Sequence, residues 1–266
     1  MAVVLREDGA EIWWESHGAD TAPPVVLVMG LGWPAAMWFR QVPALAERYR
    51  VLLVDNRGAG HTGDVVGAPY SVPTMAADVA AVLDAADASP AHVIGISMGG
   101  LIAQELALSH PEKVRSLVLM ATHAGLGHMD FSEEATQMLA QRVGLSAQEA
   151  AELSIPFNYA PQTSRALIEE DWAVRMPLAC TPAGYIAQLT GSPTWSSYDR
   201  LADLDLPTLV LHGADDRLVL LSNGETLAKA IPGAQLTVID DANHVLTTDK
   251  AEEVNATLLA WLDQQP

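Results

Sequence analysis

The chain has 266 residues, half of them hydrophobic and 18% charged, with a formal net charge of −19. That length and composition support a substantial core in one large α/β domain and exclude global disorder. The acidic balance argues against nucleic acid and anionic membrane surfaces as partners, since both need Lys/Arg patches. Val3-Val4-Leu5 and Ile12-Trp13-Trp14-Glu15-Ser16 flank the turn signal Asp8-Gly9 and predict an antiparallel hairpin. Val25–Met29 is a continuous apolar run suited to a strand buried on both faces, and it ends in the loop Gly30-Leu31-Gly32-Trp33-Pro34. A helix over Ala35–Glu47, a strand over Val51–Asp55 and a glycine-rich turn over Asn56–Gly63 follow. That turn lacks the Gly-Lys-Ser/Thr of a Walker loop and has the wrong context for a dinucleotide fingerprint. Ser71 begins a helix marked by Met75, Val79, Val82 and Leu83, and Ser89-Pro90 stops it.

Val93-Ile94-Gly95-Ile96-Ser97-Met98-Gly99-Gly100 then reads as a strand turning into a helix around Gly-x-Ser-x-Gly, a nucleophile elbow. Gly95 and Gly99 are needed because side chains two residues either side of the serine would collide in so tight a turn. The helix N-terminus favours negative charge developing beside Ser97. His110-Pro111 ends that helix, and Val114–Met120 forms the next buried strand; this alternation implies parallel pairing with right-handed crossovers.

From about Met129 to Arg200 the pattern changes. Helical segments are predicted near Glu133–Val143, Ala147–Leu153 and Ser164–Arg175, with breaks at Pro156, Pro161, Pro177, Pro182 and Pro193, and no strand convinces. This helical insertion is rich in aromatic residues. Alternation then resumes with strand Thr208–Leu211, loop Gly213–Val219, helix Asn223–Ile231, strand Gln235–Ile239, loop Asp241–His244 and helix Ala251–Leu262.

A serine hydroxyl needs a base, normally a histidine held by a carboxylate. Sites in open parallel sheets form at the carboxyl ends of strands. Asp215 and Asp216 lie just after one such strand and His244 just after another, so Ser97, Asp216 and His244 occur in the order Ser…Asp…His. Asp215 and Asp130 are the rival acids. His61 and His123 also follow strands at this edge, with loop packing weighed against substrate contact. His123 and His128 lack the acidic or cysteine neighbours of a zinc site.

These motifs resemble the α/β-hydrolase superfamily over nearly the whole chain: the elbow, the acid loop His212-Gly213-Ala214-Asp215-Asp216-Arg217-Leu218-Val219, the histidine loop Asp241-Ala242-Asn243-His244, and Asp55-Asn56-Arg57-Gly58-Ala59-Gly60 after the family's fourth strand. In layout the chain is similar to capped esterases of the 3-oxoadipate enol-lactonase type. The resemblance implies an α/β-hydrolase fold: a mostly parallel eight-stranded sheet flanked by helices, with a core of residues 1–128 and 201–266 and a helical cap of 129–200. The family register selects Asp216 as the acid. It implies an oxyanion hole of the Met98 N–H and a second donor that maps to Leu31, with Gly30 the other candidate. Met29-Gly30 stands where the family often has His-Gly.

The expected function is hydrolysis of a small carboxylic ester or lactone through an acyl-enzyme, with no cofactor or metal. Carbon–carbon hydrolysis of vinylogous diketones, acyl transfer, perhydrolysis and a catalytically silent small-molecule receptor remain alternatives. Serine at the elbow disfavours dehalogenases and epoxide hydrolases, which use aspartate there. Gly30, Trp33, His123, Trp172, Met176 and Trp195 are the expected pocket residues. The single Cys180 cannot form an intrachain disulfide and fits a reducing compartment. With no apolar signal core and no run near the roughly 20 residues of a membrane span, a soluble cytoplasmic protein is expected; a homodimer is left open.

Overall fold

The computed structural model describes residues 1–67, 70–142 and 144–265. Eight strands make one sheet: β1 (Ala2–Leu5), β2 (Glu11–His17), β3 (Pro24–Val28), β4 (Arg50–Val54), β5 (Ala91–Ile96), β6 (Val114–Met120), β7 (Thr208–Gly213) and β8 (Gln235–Ile239). They lie in the order β1-β2-β4-β3-β5-β6-β7-β8; β1–β2 and β2–β4 pair antiparallel and all other neighbours parallel. The apolar runs become the central strands because both of their faces are covered. Successive side chains alternate between two cores, as the two-residue period of a strand requires. Val26, Val28, Leu52, Val54, Val93 and Leu117 join one core, while Val25, Leu27, Val51, Leu53, Ile94 and Val118 join the other. β1 and β8, at the two edges, expose most of their residues.

The first core is closed by α2 (Val72–Ala85) and α3 (Met98–Ser109), the second by Trp38, Leu45 and the C-terminal helix Ala251–Leu262. Ser71 caps α2 by accepting from the Thr74 N–H at 3.2 Å. The single helix predicted over Ala35–Glu47 is in fact a 3₁₀ helix, Ala35–Arg40, followed by the short α1 (Val42–Ala46). Pro43 sits in the first turn of α1, where its missing N–H is tolerated but continuation of the preceding helix is not.

Between β6 and β7 the chain forms α4 (Glu133–Gln141), α5 (Ala147–Asn158), α6 (Arg165–Arg175) and α7 (Pro182–Gly191). A Ser or Thr side chain caps each, at Ser132, Ser146, Ser164 and Thr181, satisfying one orphan N–H at each start. Val143, the predicted end of the first of these helices, lies outside the described residues. Pro156 does not break α5: it occupies the last turn, two residues before the helix ends. α7 begins on Pro182, a residue read from sequence only as a break; proline in a first turn starts a helix as readily as it stops one.

Candidate active site

Ser97 joins β5 to α3 with φ 56° and ψ −121°, a left-side backbone conformation that costs a non-glycine residue about 1–3 kcal/mol. Its surroundings hold it there. The Ser97 N–H donates to Met120 O at 2.9 Å, and the Ser97 carbonyl accepts from Thr122 Oγ1 at 2.7 Å and from the Gly100 N–H at 2.8 Å. A Cβ on Gly95 would overlap the Gly99 carbonyl, and one on Gly99 would overlap the Val28 carbonyl. Larger residues at either position would push the turn open. Met98 opens α3, so its N–H has no acceptor within the helix.

The loop after β3 lies against the serine. A Cβ on Gly30 would stand 3.1 Å from Ser97 Cβ and 3.6 Å from its Oγ. Asn56 Nδ2 donates to Met29 O at 2.9 Å, and Asp55 Oδ1 accepts from the Ala35 N–H at 2.6 Å, fixing the loop at both ends. The Gly32 N–H donates to Gln188 Oε1 at 2.7 Å and the Trp33 N–H to Gly30 O at 3.3 Å. Among the described residues, the Leu31 N–H has no acceptor.

Asp216, in the loop after β7, presents one carboxylate oxygen to its own loop and the other to His244. Oδ1 accepts from the N–H groups of Leu218 (2.9 Å) and Val219 (2.8 Å); Oδ2 accepts from His244 Nδ1 at 2.9 Å. His212 Nε2 donates to Val219 O at 2.8 Å and lies 3.5 Å from Asp216 Oδ2. Burial raises the Asp216 pKa, but the His244 charge and hydrogen bonds from His212 and His244 outweigh it and hold the carboxyl down to about 2. Asp215 and Asp130 are exposed, and neither pairs with His244. Since Nδ1 of His244 is taken by Asp216, its Nε2 is the nitrogen left for a reacting group.

Ser97 and His244 line one cavity of about 290 Å³, together with Gly30, Leu31, Trp33, Met98 and His123. The segment between β6 and β7 supplies much of the remaining wall, including Met129, Leu139, Arg142, Arg175 and Tyr185. Among the described residues, no group of three or more His, Cys, Asp and Glu side chains is placed to hold a metal ion.

The sequence profile of the alpha/beta hydrolase fold matches residues 23–251. The chain belongs to that family. This alpha/beta hydrolase is 36% identical over 260 residues, 95% of each chain, to a protein of Azorhizobium caulinodans provisionally named a carbamate hydrolase. It is 32% identical over 253 residues to a poly(3-hydroxyalkanoate) depolymerase of Ectopseudomonas oleovorans, covering 93% of this chain and 87% of that one. The enol-lactonase of Burkholderia xenovorans superposes with a TM-score of 0.87 over 98% of this chain and 100% of the other; at 24% identity, that likeness shows the fold alone. With hydrolases among its relatives, the chain is a hydrolase of this fold.

Within the hydrolase, three expected pocket residues lie elsewhere. Trp172, four residues after Ile168 on α6, is buried with Ile168, Ala151, Tyr159 and Val245, and Met176 packs against the same cluster. Trp195 joins the main core, where its indole N–H donates to Glu105 Oε2 at 2.7 Å. A buried Trp needs a partner for that N–H, and Glu105 supplies one. His61 stacks on Trp13 with centroids 4.6 Å apart and is not among the cavity residues. His123 does reach the cavity: burial lowers its pKa to about 4, and Nδ1 accepts from the Gly125 N–H at 3.0 Å, so the neutral ring carries its proton on Nε2. Arg142, Arg175, Tyr185 and Gln188 were missed. Two basic residues in an acidic chain were the only available signal, and helical spacing alone does not aim them at a site.

Proposed function

We propose that the protein is a serine esterase or lactonase for small substrates, acting through an acyl-enzyme. Ser97 Oγ attacks the carbonyl carbon while its proton passes to His244 Nε2. The carbonyl π electrons move onto oxygen, and the oxyanion is received by the Met98 and Leu31 N–H groups, each strong donor being worth about 3–4 kcal/mol. Collapse of the tetrahedral centre expels the alcohol oxygen, which takes the proton from His244. Water then repeats the sequence on the acyl-serine, releasing the acid and restoring Ser97. Asp216 sets the imidazole tautomer and favours its charged form.

The observation that carries this reading is the buried 2.9 Å contact from His244 Nδ1 to Asp216 Oδ2, with His244 sharing a cavity with Ser97 on its strained elbow. A relative named as a depolymerase of a polyester supports the ester bond as the target. A fluorophosphonate is expected to label Ser97, as read by peptide mass mapping, and Ser97→Ala to lower turnover of 4-nitrophenyl butyrate by roughly 10⁴–10⁶-fold. Labelling elsewhere, or undiminished turnover in the folded variant, rejects the mechanism.

A further inference from the structure

Two guanidinium groups line the same cavity as Ser97 and His244: Arg142, immediately after α4, and Arg175, the last residue of α6. The chain has 33 acidic residues against 14 Lys and Arg, so counterions abound. Arg40 pairs with Glu170 and Asp171, Arg57 with Asp8 and Asp78, Arg165 with Glu152 and Glu169, and Arg200 with Glu105. Among the described residues, neither Arg142 nor Arg175 has a carboxylate partner. Each lies instead over an aromatic ring: Arg175 Cζ is 4.5 Å from the Trp33 centroid, and Arg142 Cζ is 5.2 Å from that of Tyr185.

Those rings place the two cations beside the loop that meets Ser97. Trp33 ends Gly30-Leu31-Gly32-Trp33, and a Cβ on Gly32 would come to 2.9 Å from the Tyr185 ring. Burial lowers the Arg175 pKa to about 10, with the Arg142 charge acting in the same direction, and the group stays charged at neutral pH. Both side chains are half-buried, a guanidinium drawn partly out of water beside a like charge is costly, and a ring face recovers only part of that cost. Stacking does leave a guanidinium's N–H edges open, and those edges match a carboxylate in bidentate geometry. Much of the remaining wall is hydrocarbon, from Leu126, Met129, Leu139 and Val219.

We propose that Arg142 and Arg175 form a carboxylate-binding subsite, so that the substrates are esters or lactones bearing a free carboxylate on an otherwise apolar chain. The substrate class rests on the esterase reading above, whereas the anion subsite does not need it. The test uses Ser97→Ala protein, which holds an ester without cleaving it, and two ligands of one shape, monomethyl adipate and the neutral methyl 6-methylheptanoate. Isothermal titration is expected to show the anionic ester binding at least about tenfold more tightly, with the gap narrowing as salt screens the charges. Arg142→Gln and Arg175→Gln together are expected to close the gap, and Arg175→Lys to keep part of it. Equal binding of the two esters, or a gap that survives both Gln substitutions, overturns the proposal. The first comparison needs no arginine variant, so a misfolded double variant does not shelter it. Hydrolysis is read separately: wild-type protein that binds the anionic ester but cleaves neither one rejects the esterase reading and leaves the subsite standing.

Discussion

Asp215 and Asp216 are adjacent in sequence, yet one is exposed and the other is buried with four contacts to protein donors. Asp216→Asn is expected to lower kcat by roughly 10³–10⁴-fold, because an amide on Nδ1 of His244 no longer enforces the tautomer that leaves Nε2 basic. Asp215→Asn is expected to stay within about threefold, since exposed substitutions away from such features change little. Steady-state rates for both variants decide the matter, and equal losses would reject Asp216 as the acid. From sequence, the family register Gly-x-x-Asp counted from Gly213 selects Asp216, and in the structure that residue is the buried one of the two. Trp172 and Trp195 were not legible. An aromatic residue in an insertion over a site can turn toward the ligand or toward its own core, and neither spacing nor composition states which. For Trp195 the deciding contact is with Glu105, 90 positions away in the chain.

At the level of elements, the loops at the carboxyl edge of the sheet do the positioning, and the inserted helices set the shape of the cavity. Asn243 links the two: its Oδ1 accepts from the N–H groups of Arg217 and His244, and its Nδ2 donates to Pro156 O and Tyr159 O at the end of α5. The insertion was visible as a lapse in strand–helix alternation, but α7 was hidden because its N-terminal proline reads as a breaker. Trp195→Ala is expected to cost about 3–5 kcal/mol of stability and to leave the acyl-chain-length preference for 4-nitrophenyl esters unchanged. Met129→Ala, which enlarges the cavity wall, is expected to shift that preference toward longer chains with a smaller loss of stability. Melting curves and specificity constants from acetate to octanoate check both. If Trp195→Ala moves the preference and Met129→Ala does not, the assignment of the two side chains is reversed.

Across the whole molecule, the sheet was the most legible part, since continuous apolar runs can be satisfied only between two helical layers. The placement of buried carboxylates was the least legible, because each depends on partners distant in sequence, and that placement governs how stability changes with pH. Asp55, Asp171 and Asp249 have pKa values raised by burial above the ordinary 3.8, against opposing hydrogen bonds from Ala35, Thr248 and Thr163 among others. A raised value means the folded state holds the proton more tightly than the unfolded chain. Their contribution is therefore full below pH 3.8 and lost as pH rises through the folded values. Asp216, held down to about 2, runs the other way: its contribution is present above 3.8 and lost as pH falls toward 2. That contribution is worth roughly 2 kcal/mol. The formal charge of −19 adds self-repulsion that weakens as carboxylates take up protons. The three effects together place maximal stability below neutrality but above pH 3.8. Thermal unfolding followed from neutral pH down to about 2 is expected to show the melting temperature rising as pH falls from neutral, then dropping below pH 3.8 as Asp216 takes up its proton, with Asp216→Asn softening the drop. A melting temperature that falls continuously from neutral pH downward would mean that the buried aspartates do not take up protons on folding.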